Sequence, residues 1–354
     1  MLRVRIERIP SLEAAREAWE ALEGRSGRVY STWSWADAWW RQFGAGRELE
    51  LHSVHDDGGR LAALLPLYST RRGPIALLRL IGYGLADEMG PVCAPTDAPL
   101  AAEALRTVLR SELPLHGVAL LDRLFGADPV ADHLRAATVR TEASPVLWRE
   151  GRDWETWLAS RSANLRRQLG QRERRLRRDH GLRYRLTSDP AQLDADLSTL
   201  IRLHHTRWLG GGSIAFSACR GAFHRDFAHR ALARGWLRLW SAEVHDRPVA
   251  AYYGFRFGAT EWAYQSGRDP AWDGRGVGQV LLAHSIRAAL QDGVESFRFG
   301  VGDEPYKSRF ASEDPGLRTL AVGRPAVQSA AAAAARVARR LPLSVKHQIA
   351  RRAE

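Results

Sequence analysis

The stretch after Gly235 constrains the fold more than any other. It reads WLRLWSAEV, HDRP, VAAYYGFRF, GA, TEWAYQSG: three runs rich in β-branched and aromatic residues, separated by turns of four residues or fewer. Connections this short join antiparallel neighbours, so the pattern predicts a three-stranded meander. RDPAWDGRGVGQVLL follows at once, with glycines at 274, 276 and 278. Val277, Val280, Leu281, His284 and Ala288 then recur at helical spacing, which predicts a helix over 276 to 292. A strand that enters a helix through a glycine turn sets the amides of the first turn beside the strand end, a geometry suited to anions. The strand ESFRFGV closes the unit.

Upstream, residues 161 to 180 predict a helix with a narrow stripe of Leu165, Leu169 and Leu176. A strand at 183 to 188 and helices at 191 to 209 and 218 to 234 come next, the last ending at Gly235 as a left-handed cap would. Residues 1 to 150 read differently. Val4 and Ile6 alternate with arginines, and Trp35, Trp39 and Phe43 share a helical face with Thr32 or Ser34 as N-cap. A hairpin then turns at the DDGG of 56 to 59. A length of 354 residues exceeds one ordinary core and favours two. The fold class is α/β (α+β), with an N-terminal half over 1 to 150 and a C-terminal domain over 151 to 323. The Ala/Arg-rich helical tail over 324 to 354 divides at Pro342 and carries no catalytic role.

No window holds the roughly 18 apolar residues of a spanning helix, and no apolar h-region opens the chain. Cys93 and Cys219 are far apart without a CxxC, which points to a reducing, cytoplasmic setting with two buried thiols and neither disulfide nor zinc site. His224, His229 and His284 are not spaced as metal ligands, so no metal is expected. The net charge of +12 biases the surface towards polyanions. Eight arginines between 161 and 178 read either as a solvated basic face or as a grip on a phosphate-rich acceptor such as a nucleotide sugar, a lipid-linked sugar or tRNA. GxSxG and HExxH are absent, which favours direct transfer chemistry over a covalent nucleophile.

The order of strand, two helices, three antiparallel strands, helix and strand resembles the GNAT superfamily of N-acyltransferases. Its RxxGx(G/A) turn is matched by Arg275-Gly276-Val277-Gly278-Gln279-Val280, with Val280 where the pattern has a small residue. The resemblance implies acetyl-CoA or another acyl-CoA as co-substrate. Its pyrophosphate would lie on Gly274, Arg275, Gly276, Val277, Gly278 and Gln279 through the amides of 276 to 279, and its acyl group beside Gln265 and Ser266. A β-branched Val280 would crowd that pyrophosphate.

Further motifs in order are similar to the CelD-like, cellulose-biosynthesis-associated acetyltransferases: the Arg-rich helix, LHHTRW (203 to 208), RPVAAYYGF, YQSGRDPAW and FGVGDEPYKSRF (299 to 310). STWSWADAWWRQFG, LLPLY and LRLIGYGLADEMGPV in the first half resemble the same family's first GNAT-like half. The resemblance thus implies two tandem GNAT-like domains with mixed, largely antiparallel sheets flanked by helices, the first without a CoA-binding turn. Fem-type transferases, which take an aminoacyl group from tRNA, share that two-half architecture.

The same resemblance gives Tyr306 as general acid for the leaving thiolate, Lys307 as the ammonium that lowers its pKa, and Asp303 or Glu304 as acceptor of the amine's proton. Read without it, GDEP is a solvated turn, Tyr306 packs and Lys307 is a surface residue. His204, Arg207 and Trp208 share a helical face and are either acceptor contacts or packing residues. Glu261 is a further base or a solvated carboxylate. The function expected is acyl transfer to an amine or hydroxyl of a small-molecule or saccharide acceptor. The alternatives are Fem-type aminoacyl transfer from tRNA, and a non-catalytic module binding carbohydrate or a protein partner.

Overall fold

A computed structural model describes residues 3–72, 75–112, 117–126, 128–134, 136–207, 215–324, 326–330 and 332–333. The chain divides into two compact units, residues 1–143 with 315–354, and residues 144–314.

In the first unit β1 (Arg5–Ile9) is followed by α1 (Arg16–Ser26) and α2 (Trp33–Phe43). The α2 N-cap is Thr32, whose hydroxyl accepts from the Trp35 amide at 3.2 Å, and Trp35 and Trp39 turn into the core. The expected hairpin is β2 (Glu48–His55) and β3 (Leu61–Arg72), closed by Asp56, whose carboxylate accepts from the amides of Gly58 and Arg60. Then come β4 (Ile75–Leu80), β5 (Val92–Cys93), α3 (Ala98–Glu112), β6 (Val118–Phe125), α4 (Pro129–His133) and β7 (Ala137–Glu142). β6 lies parallel to β4, as the α3 crossover requires. Beyond that pairing the chain's own residues 81–91 run in, with the Met89 amide donating to the Arg123 carbonyl at 3.0 Å.

The second unit comprises β8 (Val146–Trp148), α5 (Trp154–Ala159), α6 (Ala163–His180), β9 (Arg183–Leu186), α7 (Pro190–Arg207), α8 (Ala218–Ala233), β10 (Leu237–Val244), β11 (Arg247–Phe257), β12 (Thr260–Arg268), α9 (Val277–Gln291) and β13 (Ser296–Arg298). Its sheet runs β8-β13-β12-β11-β10-β9. The meander is as expected, and the β10–β11 turn places His245 and Asp246 at φ of 50° and 60°, the twist a tight hairpin demands. Leu165, Leu169 and Leu176 of α6 pack with Val277, Val280, Leu281 and Ile286 of α9 in one core. Gly235 closes α8 at φ 71°.

The strand β14 (Leu317–Gly323) does not stay with the second half. It pairs with β6 and β7, so residues expected at the end of the C-terminal domain complete the first sheet. In exchange β8, ahead of the expected boundary, pairs with β13. A strand's alternation states which face is buried but not which sheet receives it. Cys93 is buried as expected, whereas Cys219 is exposed on the first turn of α8. No helix is long and apolar enough to cross a membrane among the described residues.

Candidate functional site

β12 is bonded to β11 along its length, with a bulge where Tyr253 faces Gln265 and Gly254 faces Ala263. On its other side the parallel pairing with β13 covers only Thr260 to Trp262. After Arg298 the chain leaves for β8, where the Phe299 amide donates to the Pro145 carbonyl at 3.0 Å. Ala263 to Arg268 therefore run past the end of β13 without a strand partner on that side among the described residues. Gly254 is required at the bulge, because a Cβ there would meet the Trp262 carbonyl at 2.4 Å and the Tyr252 hydroxyl at 2.7 Å.

The end of β12 leads into α9. Asp269 accepts from the Ala271 amide at 2.9 Å, and a single 3-10 segment, Pro270–Arg275, brings the chain to Gly276 in the left-handed region at φ 70°. Of the amides expected to face an anion, Gly276 donates to the Asp273 carbonyl and Gln279 to the Gly276 carbonyl. Those of Val277 and Gly278 remain at the open first turn. Val280 does not crowd this turn. Its side chain is buried in the core and its amide donates to Gly276. Arg275 lies over the Trp272 ring, 5.0 Å from its centroid, and Arg268 pairs with Asp273 while its chain covers Gly278.

The loop after β13 is fixed from within. Gly300 and Gly302 take φ of 69° and 118°, and the Lys307 ammonium donates to the carbonyls of Gly300, Val301 and Gly302 at 3.4, 2.8 and 3.3 Å. It also pairs with Glu304 at 2.8 Å, and the lysine is 2% exposed rather than a surface group. Asp303 and Tyr306 are exposed, Tyr306 at 37%. Tyr306 is near enough to buried Tyr252 to help raise its hydroxyl pKa, an effect led by burial and followed by Glu261. The Tyr252 hydroxyl lies 3.5 Å from the Trp262 carbonyl, where β12 and β13 part.

On the opposite sheet face, the His204 Nδ1–H donates to the Ser266 carbonyl at 3.1 Å. Their strand and helix are in such contact that a Cβ on Gly267 would fall 2.3 Å from the His204 nitrogen. The Arg207 side chain and Trp208 lie outside the described residues. Glu261 is neither solvated nor free. It is fully buried, 2.7 Å from Arg256 and 3.7 Å from Arg238, and burial pushes its carboxyl above the usual range against the pull of both arginines. Among the described residues no group of three His, Cys, Asp or Glu is placed to hold a metal ion.

Two contributors escaped sequence reasoning. Tyr252 looks like one aromatic in an apolar strand, and only the bulge brings its hydroxyl to the parting of the strands. Arg172 is one of eight arginines by sequence, yet its guanidinium bonds the Gln279 side chain at the first turn of α9.

Residues 163–308 match the family of the acetyltransferase (GNAT) domain. The chain carries a GNAT acetyltransferase domain. Solved structures of similar fold extend the likeness over both units. FemX superposes with a TM-score of 0.64 at 11% identity, covering 92% of this chain and 100% of that one. The C-terminal domain of a putative lysylphosphatidylglycerol synthetase from Agrobacterium fabrum gives 0.58 at 13%, over 91% and 95%. The L-PGS of Bacillus licheniformis gives 0.54 at 12%, over 93% and 96%. No curated protein matches the chain in sequence. The GNAT domain is that of an acyltransferase, set in an α/β chain with two mixed sheets.

Proposed function

We propose that the protein transfers an acyl group, acetyl foremost, from acyl-CoA to an amine or hydroxyl of a small-molecule or saccharide acceptor in the cytoplasm, as a member of the CelD-like group. The observation that carries this is the meeting of the open first turn of α9 with the stretch of β12 that runs past β13. The residues present fit such a donor. Gly276 is left-handed, Val277 and Gly278 offer amides, and Val280 points away. Arg275, stacked on Trp272, shapes the turn.

When bound, acyl-CoA supplies an activated thioester. Val277 and Gly278 amides hold its phosphates, and the edge of β12 at Gln265 and Ser266 aligns its arm and acyl group. Tyr306 gives its hydroxyl proton to the leaving thiolate, and Asp303 takes the acceptor's proton through water. Glu304 and Lys307 hold the loop that presents them. His204 keeps the Ser266 carbonyl in place beside the acceptor. The first unit serves without CoA, because residues 81–91 run in beside β6 and because Asp97, paired with Arg60 at 2.8 Å, precedes α3 where the second unit has Gly276.

Calorimetry with acetyl-CoA and longer acyl-CoAs, followed by thiol release with amine and sugar acceptors, tests the reading. Absence of heat and of any thermal shift overturns it. A second reading, aminoacyl transfer from tRNA, is favoured by one observation. Arg167, Arg174 and Arg178 are exposed on the side of α6 opposite its buried leucines, a stripe suited to phosphates. Retention of charged tRNA at moderate salt supports it, and free migration removes it.

A further inference from the structure

We propose that Arg172, on α6, is a donor-binding residue: it supplies the cation that holds the phosphates of the acyl donor at the first turn of α9. The inference rests on the acyl-CoA reading above and adds a residue that lies outside the RxxGx(G/A) turn.

The position of Arg172 follows from its helix. Leu169 and Leu176, three residues before and four after, are buried in the core shared with α9. Ridge spacing then leaves residue 172 at the edge of the α6–α9 contact, with its side chain directed at the neighbouring helix. The Arg172 side chain lies against Gly276, where a Cβ would stand 2.8 Å from both its Cδ and its Nη1. Nη1 donates to Oε1 of Gln279. Gly276 thus serves twice: it takes the left-handed conformation, and its bare Cα lets the arginine lie against the turn.

Charge balance separates Arg172 from the two arginines nearer in sequence. Arg268 is compensated by the carboxylate of Asp273. Arg275 is drawn onto the Trp272 ring and donates to the Ala271 carbonyl at 3.4 Å. Arg172 bonds the neutral amide of Gln279, and among the described residues no carboxylate pairs with it. A guanidinium with one N–H committed to Gln279, set against a glycine and near the first-turn amides of Val277 and Gly278, has the planar, forked donors that phosphate oxygens accept. The Nε2 of Gln279 is buried there without a partner as well, a second donor at the same turn.

The test is calorimetric titration of wild type and Arg172→Gln with acetyl-CoA, with CoA, and with S-acetylpantetheine, which has the thioester arm but no phosphates. Glutamine keeps a neutral reach towards Gln279, and melting temperatures control for folding. R172Q is expected to bind acetyl-CoA and CoA about tenfold or more weakly, to bind S-acetylpantetheine as wild type does, and to show a shallower dependence on salt. Equal affinity of R172Q and wild type for acetyl-CoA overturns the inference and leaves the donor reading standing. Equal weakening for S-acetylpantetheine also overturns it, since Arg172 would then merely pin two helices. A wild type that binds no acyl-CoA overturns both. If R172Q does not fold, Arg172→Lys keeps the charge without the fork. Acetyl-CoA affinity reduced, with the salt dependence retained, supports the assignment, and unchanged affinity for acetyl-CoA overturns it.

Discussion

The ammonium of Lys307 lies 2.8 Å from the carbonyl oxygen of Val301, inside a loop whose next residues are Gly302, Asp303 and Glu304. A buried cation bonded to three successive carbonyls and a carboxylate fixes the backbone that carries Tyr306. Lys307→Met should leave those acceptors unmet and destabilise the protein by about 1–3 kcal/mol. Acyl transfer should fall with it while donor affinity stays. Urea unfolding beside thiol-release kinetics measures both, and an unchanged unfolding midpoint would count against the loop role.

Tyr306 is exposed at 37%, and replacing it by Phe keeps its ring. Tyr306→Phe is expected to change stability by less than about 0.5 kcal/mol yet to lower kcat about 100-fold, without a change in KM for the donor. Steady-state kinetics across pH decides this. An undiminished kcat assigns the proton to another group.

Gly267 shows where packing leaves no room. A Cβ would meet the backbone of His204 at 2.3 Å and of Leu203 at 2.5 Å, and neither can yield without moving α7 off β12. Gly267→Ala should cost about 1–3 kcal/mol or more, and it should disturb the hydrogen bond from His204 to Ser266. Gly274→Ala, with nothing within 4 Å of the new methyl, should be tolerated. Thermal denaturation of the two variants side by side is the measurement.

His224 is buried among Phe216, Phe223, Tyr253 and Tyr264, and neither ring nitrogen has a partner. Burial, with Arg220 and His204 adding to it, pulls its imidazole down to about 3. A folded-state pKa below the unfolded one means that stability is full above about pH 6.5. It is lost as pH falls, until the folded imidazole also titrates near 3. The loss is on the order of 5 kcal/mol. His224→Leu should flatten this part of the stability curve, and denaturant melts at pH 7 and 4.5 would reveal a curve left unchanged.

Glu261 faces Arg256 and Arg238 in the interior. Glu261→Gln should cost about 3 kcal/mol, because the half-buried Arg238 loses its counter-charge and Arg256 keeps only Asp292. The pH profile of the variant's residual activity should keep its shape. A lost acidic limb would instead make Glu261 the base.

Much of the second unit was legible because its signals are local. The meander follows from turn length, α6 and α9 from apolar spacing, and the α8 terminus from Gly235. The RGVG turn likewise marks its own position. Lys307 and Glu261 were not legible, since a charged residue after or within a strand reads as solvated until its partners are known, and those of Glu261 come from two other strands.

The sequence by itself determined the order of elements and the place of the glycine turn, since both depend on hydrogen bonds and side chains a few residues apart. Only the tertiary structure decided that β14 completes the first sheet, that Lys307 is buried, and that Arg172 meets Gly276. The β14 and Arg172 contacts join residues about 100 or more apart in sequence. Lys307 has near partners, but its burial depends on how the rest of the unit packs around it. Nothing in alternation or helical spacing records that packing, because the free energy that selects it lies in strand pairing and close packing across the finished unit.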